Sequence, residues 1–519
     1  MTEFLQIILL WLIIILNKTG YYLYLWQVKE YRFDRMVAGL KEPGGFSAIF
    51  SKVFYSNIFL LLTFILFENT IFVRLLLSLY VFESALFIYQ IAKRQNRVPK
   101  TTAKSIAIFF LSVISVIAIF LFAIIDFSPY VFLLTIDILL FFIVTFWTLM
   151  LKPLSFLGKQ IIVYRAKQKR KGMKGLIAVG VTGSFGKTSV KEFLATILSK
   201  KFRIAKTREH QNTEIGAARA ILLMPYGTQV LIAEEAAYRK GDIKEISEVV
   251  GPAIGIITGI GSQHLALFGS QEAIVETKFE LAQALPKNGT LIVNWDSECV
   301  RIKSKELRIK NVKKYSIKER DTDLYASDID ETLEGSFFTI HHKNKSVRAE
   351  TSLLGRHNVS NVLAASVAAL ELGMSLEEVA KAIADIKPFP RTLEPKRGIK
   401  NSLIIDDTYN ASFEGVLGAL DVLSLAKGKK ILVFTSIIEL GDAAKDIHKQ
   451  IGKRISEVAD VAIIVDKKYA KELQSQKTIW MNDPDKIRER IAREAVARET
   501  VVLLEGRIPR TIIRAIVKN

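Results

Sequence analysis

Apolar residues run almost unbroken through Phe4–Trp26, Val53–Phe67, Ile71–Ala92, Ser105–Ile125 and Tyr130–Leu151, and then the pattern changes. From Leu176 onward, apolar runs of strand length alternate with segments whose apolar positions recur at helical spacing. The first pattern predicts about five helices able to cross a hydrocarbon core ~30 Å thick, the second run being the shortest. The second predicts alternating strands and helices, an α/β fold on largely parallel sheets. The opening run lacks a small-residue cleavage site and is longer than a signal-peptide core, so it reads as a span. The organisation expected is a transmembrane helical domain over 1–152, a basic juxtamembrane linker over 153–175, a central domain over 176–393 and a C-terminal domain over 394–519.

Charge sharpens this division. Of the net +20, residues 1–175 hold 20 Lys and Arg against 8 Asp and Glu, and the remainder 52 against 44. The excess lies in three loops, Lys29–Lys52, Lys93–Lys104 and Lys152–Lys174, while Glu68–Thr70 and Asp126–Pro129 carry no Lys or Arg. The positive-inside rule then puts the N-terminus outside and everything beyond Lys152 in the cytoplasm, as in a multi-pass protein of the cell membrane. No basic patch is interleaved with aromatics, so nucleic acid is not an expected partner. A single cysteine, Cys299, excludes an intrachain disulfide and a cysteine-rich metal site. Lys18, Arg74, Glu83 and Asp137 fall within the spans; they mark a path for a polar substrate, or else they pair or snorkel. No repeat relates the spans, which speaks against a transporter. Val163–Gly175 reads as a basic helix lying along the membrane surface.

The chemistry begins at "GLIAVGVTGSFGKTSVKEFLATIL", Gly175–Leu198. A buried strand, a glycine turn and a helix N-terminus form an anion site. There the amides of Gly183, Ser184 and Gly186 and the helix dipole meet phosphates, Lys187 reaches the terminal ones, and the Thr188 hydroxyl, followed by Ser189, ligates Mg²⁺. The common phosphate-loop spacing wants glycine at 181, where Val181 stands.

The form TGSFGKTS resembles the loop of the Mur ligase family, and further blocks follow in that family's order from Gly175 to Asn519. They are "HQNTEIG" (His210–Gly216), "LIAEEAAYRKGDI" (Leu231–Ile243), "GIGSQHLALFGSQEAIVETKFEL" (Gly259–Leu281), "LLGRHNVSNVLAASVAAL" (Leu353–Leu370), "DDTYNASFEGVLGAL" (Asp406–Leu420) and "IELGDAAKDIHKQIG" (Ile438–Gly452). The Tyr-Asn-Ala and Glu-Leu-Gly elements resemble the branch that adds D-alanyl-D-alanine to a peptidoglycan precursor.

The resemblance implies a P-loop-type central ATPase domain, a Rossmann-like C-terminal domain, and an ATP-dependent ligase that joins a carboxylate to an amine through an acyl phosphate. Its partners would be ATP, a nucleotide- or lipid-linked carboxylate acceptor, an amino acid or dipeptide, and the bilayer. It implies that Thr188 and Glu234 hold one Mg²⁺, and that His264 and a CO₂-carbamylated Lys278 hold a second. It places Asn212 and Thr213 near the terminal phosphate, Asn361 at adenine, Arg391 near the phosphates and Asp407 at the ribose, with Asp406 a competing assignment. Tyr409 and Asn410 would meet the amine substrate, although Tyr409 also suits a core. His448 reads as structural. No GxGxxG accompanies the C-terminal strands, so dinucleotide binding is not expected.

Three features depart from the family. Glu235-Ala236 follow Glu234 where Met/Leu-Gly is usual, so Glu235 competes as the ligand. "FTSIIELG" lacks the Gly-Asp-Met that commonly precedes Glu-Leu-Gly. Spans and a basic linker replace the N-terminal domain that soluble members use for the uridine-nucleotide end of the precursor. Either the nucleotide precursor is held differently or the carboxylate substrate is lipid-borne, with the spans keeping the enzyme beside a lipid-borne or envelope-destined substrate. Other readings are a poly-γ-glutamate or folylpolyglutamate type of ligase, a membrane sensor or scaffold with a degenerate ATP module, and an ATP-driven transporter.

Overall fold

The computed structural model describes residues 2–41, 45–67, 70–93, 96–123, 128–209, 211–261, 265–307, 311–438, 440–496 and 499–518. They form two compact units, Met1–Ile161 and Ile162–Asn519.

The first unit is helical: α1 (Thr2–Val28), α2 (Phe33–Lys41), α3 (Gly45–Ile49), α4 (Lys52–Leu66), α5 (Thr70–Ala92), α6 (Ala103–Ala123), α7 (Pro129–Met150) and the start of α8 (Lys152–Gly172). Among the described residues four helical stretches are long and apolar enough to cross a membrane, matching four of the five predicted spans. The fifth, α4, has 15 residues. At 1.5 Å per residue it is ~22 Å long, short of the hydrocarbon core. It belongs to the same bundle, burying Asn57, Leu60 and Phe64. The charges within the predicted spans resolve into a pairing network. Lys18 Nζ lies 2.9 Å from Glu83 Oε2 and 3.7 Å from Asp137 Oδ1. Asp137 Oδ2 accepts from Tyr80 at 3.1 Å and from Asn57 at 3.3 Å. Arg74 stays exposed. The network ties α1, α4, α5 and α7 together where each unpaired group would be costly.

The second unit holds both predicted α/β domains. The central sheet comprises β1 (Ile177–Thr182), β2 (Ile204–Lys206), β3 (Val230–Glu234), β4 (Ile254–Ile257), β5 (Thr290–Asn294), β6 (Val312–Ser316), β7 (Leu324–Glu331), β8 (Ser336–His342) and β9 (Lys345–Thr351). Its order is β2-β3-β1-β4-β5-β6-β7-β8-β9, parallel as far as β7 and antiparallel beyond. One face is covered by α9 (Lys187–Leu198), α15 (Arg356–Glu371) and α16 (Leu376–Ile383). The other is covered by α10 (Glu214–Leu223), α11 (Asp242–Val250), α13 (Gln271–Ala284) and α14 (Glu298–Glu306), with the short α12 (Leu265–Phe268) just before α13. Fully buried strands on both faces explain the near-continuous apolar runs of β1, β3, β4 and β5. The end of α8 differs from the surface helix expected: Val163 and Ala166 are buried with Ala217, Ile221 and Val249. Lys169 Nζ donates to the Leu222 carbonyl at 2.8 Å, closing the end of α10.

The C-terminal sheet, β10 (Glu394–Arg397), β11 (Leu403–Asp407), β12 (Lys430–Phe434), β13 (Val461–Ile464), β14 (Thr478–Trp480) and β15 (Val501–Glu505), has the order β10-β11-β15-β12-β13-β14. All but β10 run parallel. α17 (Phe413–Ser424) and α18 (Ala444–Val458) pack on one face, and α19 (Pro484–Glu494) and α20 (Arg510–Ile516) on the other. The chain leaves β11 toward one face and its neighbour β15 toward the other. The carboxyl ends of this pair are therefore a topological switch point, the usual ligand crevice of open α/β sheets.

Candidate active site

The loop between β1 and α9 is shaped by two glycines. Gly183 has φ +149°, and a Cβ there would lie 2.1 Å from Thr258 Oγ1; Gly186, at φ +78°, precedes the first turn of α9. Val181 needs no such freedom because β1 continues through Thr182, and its side chain is fully buried. Ser184 N donates to the Gly259 carbonyl at 2.7 Å, fixing the loop against the end of β4. Lys187 Nζ donates to the carbonyls of Gly183 (2.8 Å) and Ser184 (3.1 Å), so the ammonium sits over the loop itself. Burial pulls its pKa below the usual lysine value, against the pull of Glu234. Ser189 follows in the first turn, half-buried.

Glu234 ends β3 beside this helix. Its Oε2 accepts from Thr188 Oγ1 at 2.9 Å and lies 3.3 Å from Lys191 Nζ, while Oε1 accepts from Asn212 at 3.3 Å. Burial acts to raise its pKa, but the charges of Lys191 and Lys187 and the bonds from Thr188 and Asn212 outweigh it and hold the carboxyl below its ordinary value. A carboxylate kept ionised next to a hydroxyl is an oxygen-only donor pair suited to Mg²⁺. Lys191, fully buried and one turn after Lys187, is a member of the site that the motif reading missed. The available signal was a lysine in the helix's otherwise apolar stripe.

The pleat sends the two glutamates to different faces. Successive strand residues face opposite sides. Glu235 Oε2 accepts from Ser247 on α11 at 2.5 Å, and Oε1 would lie 2.6 Å from a Cβ at Gly180. It is fully buried away from Thr188, and burial raises its pKa to about 8, with Ser247 opposing. Lys278, on α13, is buried, and desolvation followed by the Lys187 charge lowers its pKa to about 7 against Asp242, Glu280 and Glu234. His264, and with it the second half of the expected metal site, lies outside the described residues, as do His210 and Glu439. Among the described residues no three His, Cys, Asp or Glu side chains cluster as metal ligands.

Other expected residues take varied places. Thr213 caps α10, accepting from Gly216 N at 3.3 Å, while Asn212 reaches Glu234. Asn361 packs on the loop: a Cβ at Gly186 would lie 2.4 Å from its Oδ1. Arg391 has φ +64° and Leu393 φ +45°, two left-handed non-glycine residues at the junction of the domains, a conformation costing roughly 1–2 kcal/mol each. The Arg391 guanidinium lies 3.7 Å from Glu209 and 5.4 Å from the centre of the Tyr409 ring. Tyr409 is half-buried; burial, then the carboxylates of Glu234 and Glu209, raise its phenol pKa, with Thr188 opposing. The C-terminal domain thus brings a side chain to the phosphate loop. Asn410 is exposed. His448 is structural: Nε2 accepts from Ile437 N at 3.1 Å and the ring stacks on Tyr469.

Asp406 and Asp407 also separate by the pleat. Asp406 is fully buried, with Oδ2 2.6 Å from Lys396 Nζ and Oδ1 2.6 Å from Thr408 Oγ1. Asp407 instead stands at the β11/β15 switch point, in register with Glu505, with Oδ1 accepting from Leu393 N at 3.2 Å. Glu505 is fully buried, and it too was missed; burial and the neighbouring Asp407 push its pKa well up.

Residues 181–369 match the model of the Mur ligase middle domain, and 393–508 that of the Mur ligase, glutamate ligase domain. The UDP-N-acetylmuramoyl-tripeptide–D-alanyl-D-alanine ligase of Bacillus subtilis is 33% identical over 288 residues, 54% of this chain and 61% of the relative. That of Escherichia coli is 31% identical over 275 residues, 53% and 61%. The chain thus spans about three fifths of these relatives' length. MurF ligase from Thermotoga maritima in complex with ADP superposes with a TM-score of 0.63 at 27% identity, over 69% of this chain and 83% of that one. MurF from Acinetobacter baumannii, at 24% identity and a TM-score of 0.64, shares the fold over 69% and 80%.

Proposed function

From residue 181 to residue 508 the chain belongs to the Mur ligase family, and on that premise we propose that it is an ATP-dependent ligase forming an amide bond. An acceptor carboxylate attacks the γ-phosphorus of ATP, expelling ADP and leaving an acyl phosphate. An amine then attacks the acyl carbon, phosphate departs and the amine loses a proton. The observation that carries this reading is the grouping of Lys187, Thr188, Glu234 and Lys278 around one glycine loop, because two anions must be brought together there.

Each side chain has a role in this reading. The loop amides and Lys187 bind the β- and γ-phosphates, and Arg391 lies at the domain junction to meet them on closure. Thr188 and Glu234 would hold Mg²⁺, which supplies charge neutralisation on the phosphoryl oxygens. A lysine near pKa 7 is substantially neutral at physiological pH, which is the form that takes up CO₂ as a carbamate; Lys278 with His264 would then hold a second Mg²⁺. Asn361 would serve adenine and Asp407 the ribose, while Asn212, Thr213, Tyr409 and Asn410 would line the path of the substrates. The amine read from the relatives is D-alanyl-D-alanine and the acceptor a peptidoglycan precursor, held at the cell membrane with the catalytic unit in the cytoplasm.

The test is a product assay on the full chain in detergent with ATP, Mg²⁺, bicarbonate, D-alanyl-D-alanine and either the uridine-linked tripeptide or its lipid-linked form. Mass gain of one dipeptide with stoichiometric ADP supports the reading and identifies the acceptor. ADP formation without that product overturns the substrate assignment. No ADP with any acceptor overturns the ligase.

A further inference from the structure

The membrane unit contains a cavity of about 730 Å³, within the range of small-ligand sites. It lies between α1, the α3–α4 turn and α5, at the end of the bundle where the basic loops emerge. Lys18 and Glu83 form its polar wall together with Tyr21, Tyr22 and Asn17, and Arg97 stands exposed at its rim. Leu86, Phe87 and Ile49 supply an apolar wall. The rim segment is held to α1 by Gln27, which donates to the Lys100 carbonyl at 2.9 Å and accepts from Lys100 N at 2.5 Å.

Depth follows from helix geometry. Lys18 is ten residues from the end of α1 and Glu83 nine from the end of α5, so the pair lies ~15 Å in from the basic ends. A charged wall at that depth is costly, and pairing explains only part of it. The Glu83 side chain is 8% exposed, and its Oε1 has no hydrogen-bond partner although Oε2 is bound by Lys18. An acceptor buried without a donor costs about 1–3 kcal/mol. Oε1 is itself closed to the cavity, so a ligand donor there meets it on a turn of the Glu83 side chain. The wall therefore asks for hydroxyl or amide donors, the Arg97 rim for an anion, and the apolar wall for hydrocarbon.

We propose that this cavity binds the head of an anionic lipid, with its phosphate at Arg97, its hydroxyl or amide donors at Glu83 and the first part of its chain along Leu86 and Phe87. The inference rests on the reading of a lipid-borne acceptor and makes the membrane unit a substrate-binding element in addition to an anchor. Phosphate from a lipid head and free phosphate share the rim chemistry; only the lipid uses all three walls.

The experiment uses the full chain in phosphatidylcholine nanodiscs doped with phosphatidylinositol as probe, which carries a phosphate and ring hydroxyls. Lipid retention is read by native mass spectrometry after ejection. Retention of phosphatidylinositol at least tenfold over phosphatidylcholine is expected, falling about tenfold in Arg97→Gln and in Glu83→Gln and unaffected by 10 mM inorganic phosphate. Arg97 is exposed outside any helix, so its variant keeps the bundle intact. Equal retention of both lipids, or retention unchanged in both variants, overturns the proposal, and so does competition by inorganic phosphate. ADP formation with the soluble uridine-linked acceptor is measured in parallel. The same measurement is made with the lipid-linked acceptor, and absence of ADP with both in wild type refutes the ligase reading without touching the lipid result.

Discussion

Replacing Lys191 by Met tests the part of the site that only the folded chain displays. Met keeps most of the aliphatic stem and removes the ammonium that lies 3.3 Å from Glu234 Oε2. At that separation and an effective dielectric of 20, the attraction is ~5 kcal/mol. Lys191 is fully buried and Glu234 6% exposed, so water screens little of it. Thr188, Asn212 and Lys187 remain to support the carboxylate, so the cost falls at the lower end of the ~3–5 kcal/mol for breaking a buried pair. For a unit of this size that is a fall in melting temperature on the order of 5 °C. Linkage adds a second, sharper expectation. Without Lys191 the carboxylate is less neutralised and holds a divalent cation more tightly, so saturating Mg²⁺ and ADP should close most of the gap to wild type. The assay is thermal melting of the full chain in detergent with chelator, with Mg²⁺ alone, and with Mg²⁺ and ADP. A variant that melts with wild type in chelator would refute the buried-pair argument. A gap that stays constant when Mg²⁺ and ADP are added would refute the assignment of Glu234 to the cation.

Three further outcomes follow from the same geometry. Glu235, raised from 4.5 to about 8 by burial, contributes stability that is complete below pH 4.5 and lost as pH rises through 8, up to ~5 kcal/mol at 1.36 kcal/mol per unit. Glu235→Gln should therefore gain on wild type between pH 5.5 and 8.5 in melting experiments while still forming ADP; a pH-independent difference, or loss of ADP formation, contradicts the burial argument. Gly183→Ala forces its Cβ to 2.1 Å from Thr258 Oγ1 at a φ that disfavours side chains, and should reduce ATP turnover at least a hundredfold; turnover within threefold of wild type would show that the loop adapts. Lys278→Ala should abolish ADP formation and regain part of it with added acetate, whose carboxylate replaces the carbamate oxygens. Full activity without additive would remove Lys278 from the site.

How much of this was legible in the sequence depends on whether the information is local. The apolar runs, the glycine loop and the order of the blocks from Gly175 onward are local facts. A run of apolar residues or a Gly-x-x-Gly-Lys-Thr turn carries its consequence within a few residues, whatever the rest of the chain does. The family resemblance implies Thr188 and Glu234 as partners, and the structure brings them to 2.9 Å. The sequence left Glu234 against Glu235 and Asp407 against Asp406 open, because adjacent strand positions are equivalent until one knows what covers each face. The tertiary structure gives the members of each pair different surroundings: α9 lies on one side of β3 and α11 on the other, and Lys396 pairs with Asp406 while Asp407 stands at the switch point. Lys191 and Glu505 escaped notice for the same reason, since their partners are 43 and 98 residues away in the chain at Glu234 and Asp407. The end of α8 was read as a surface helix because its apolar face does not say whether lipid or protein will bury it, and packing against α10 and α11 decides that. Sequence by itself determined which chemistry the chain can carry. Only the fold determined which of two neighbouring carboxylates faces the glycine loop or the switch point, because that choice is a matter of direction, and direction is set by long-range packing.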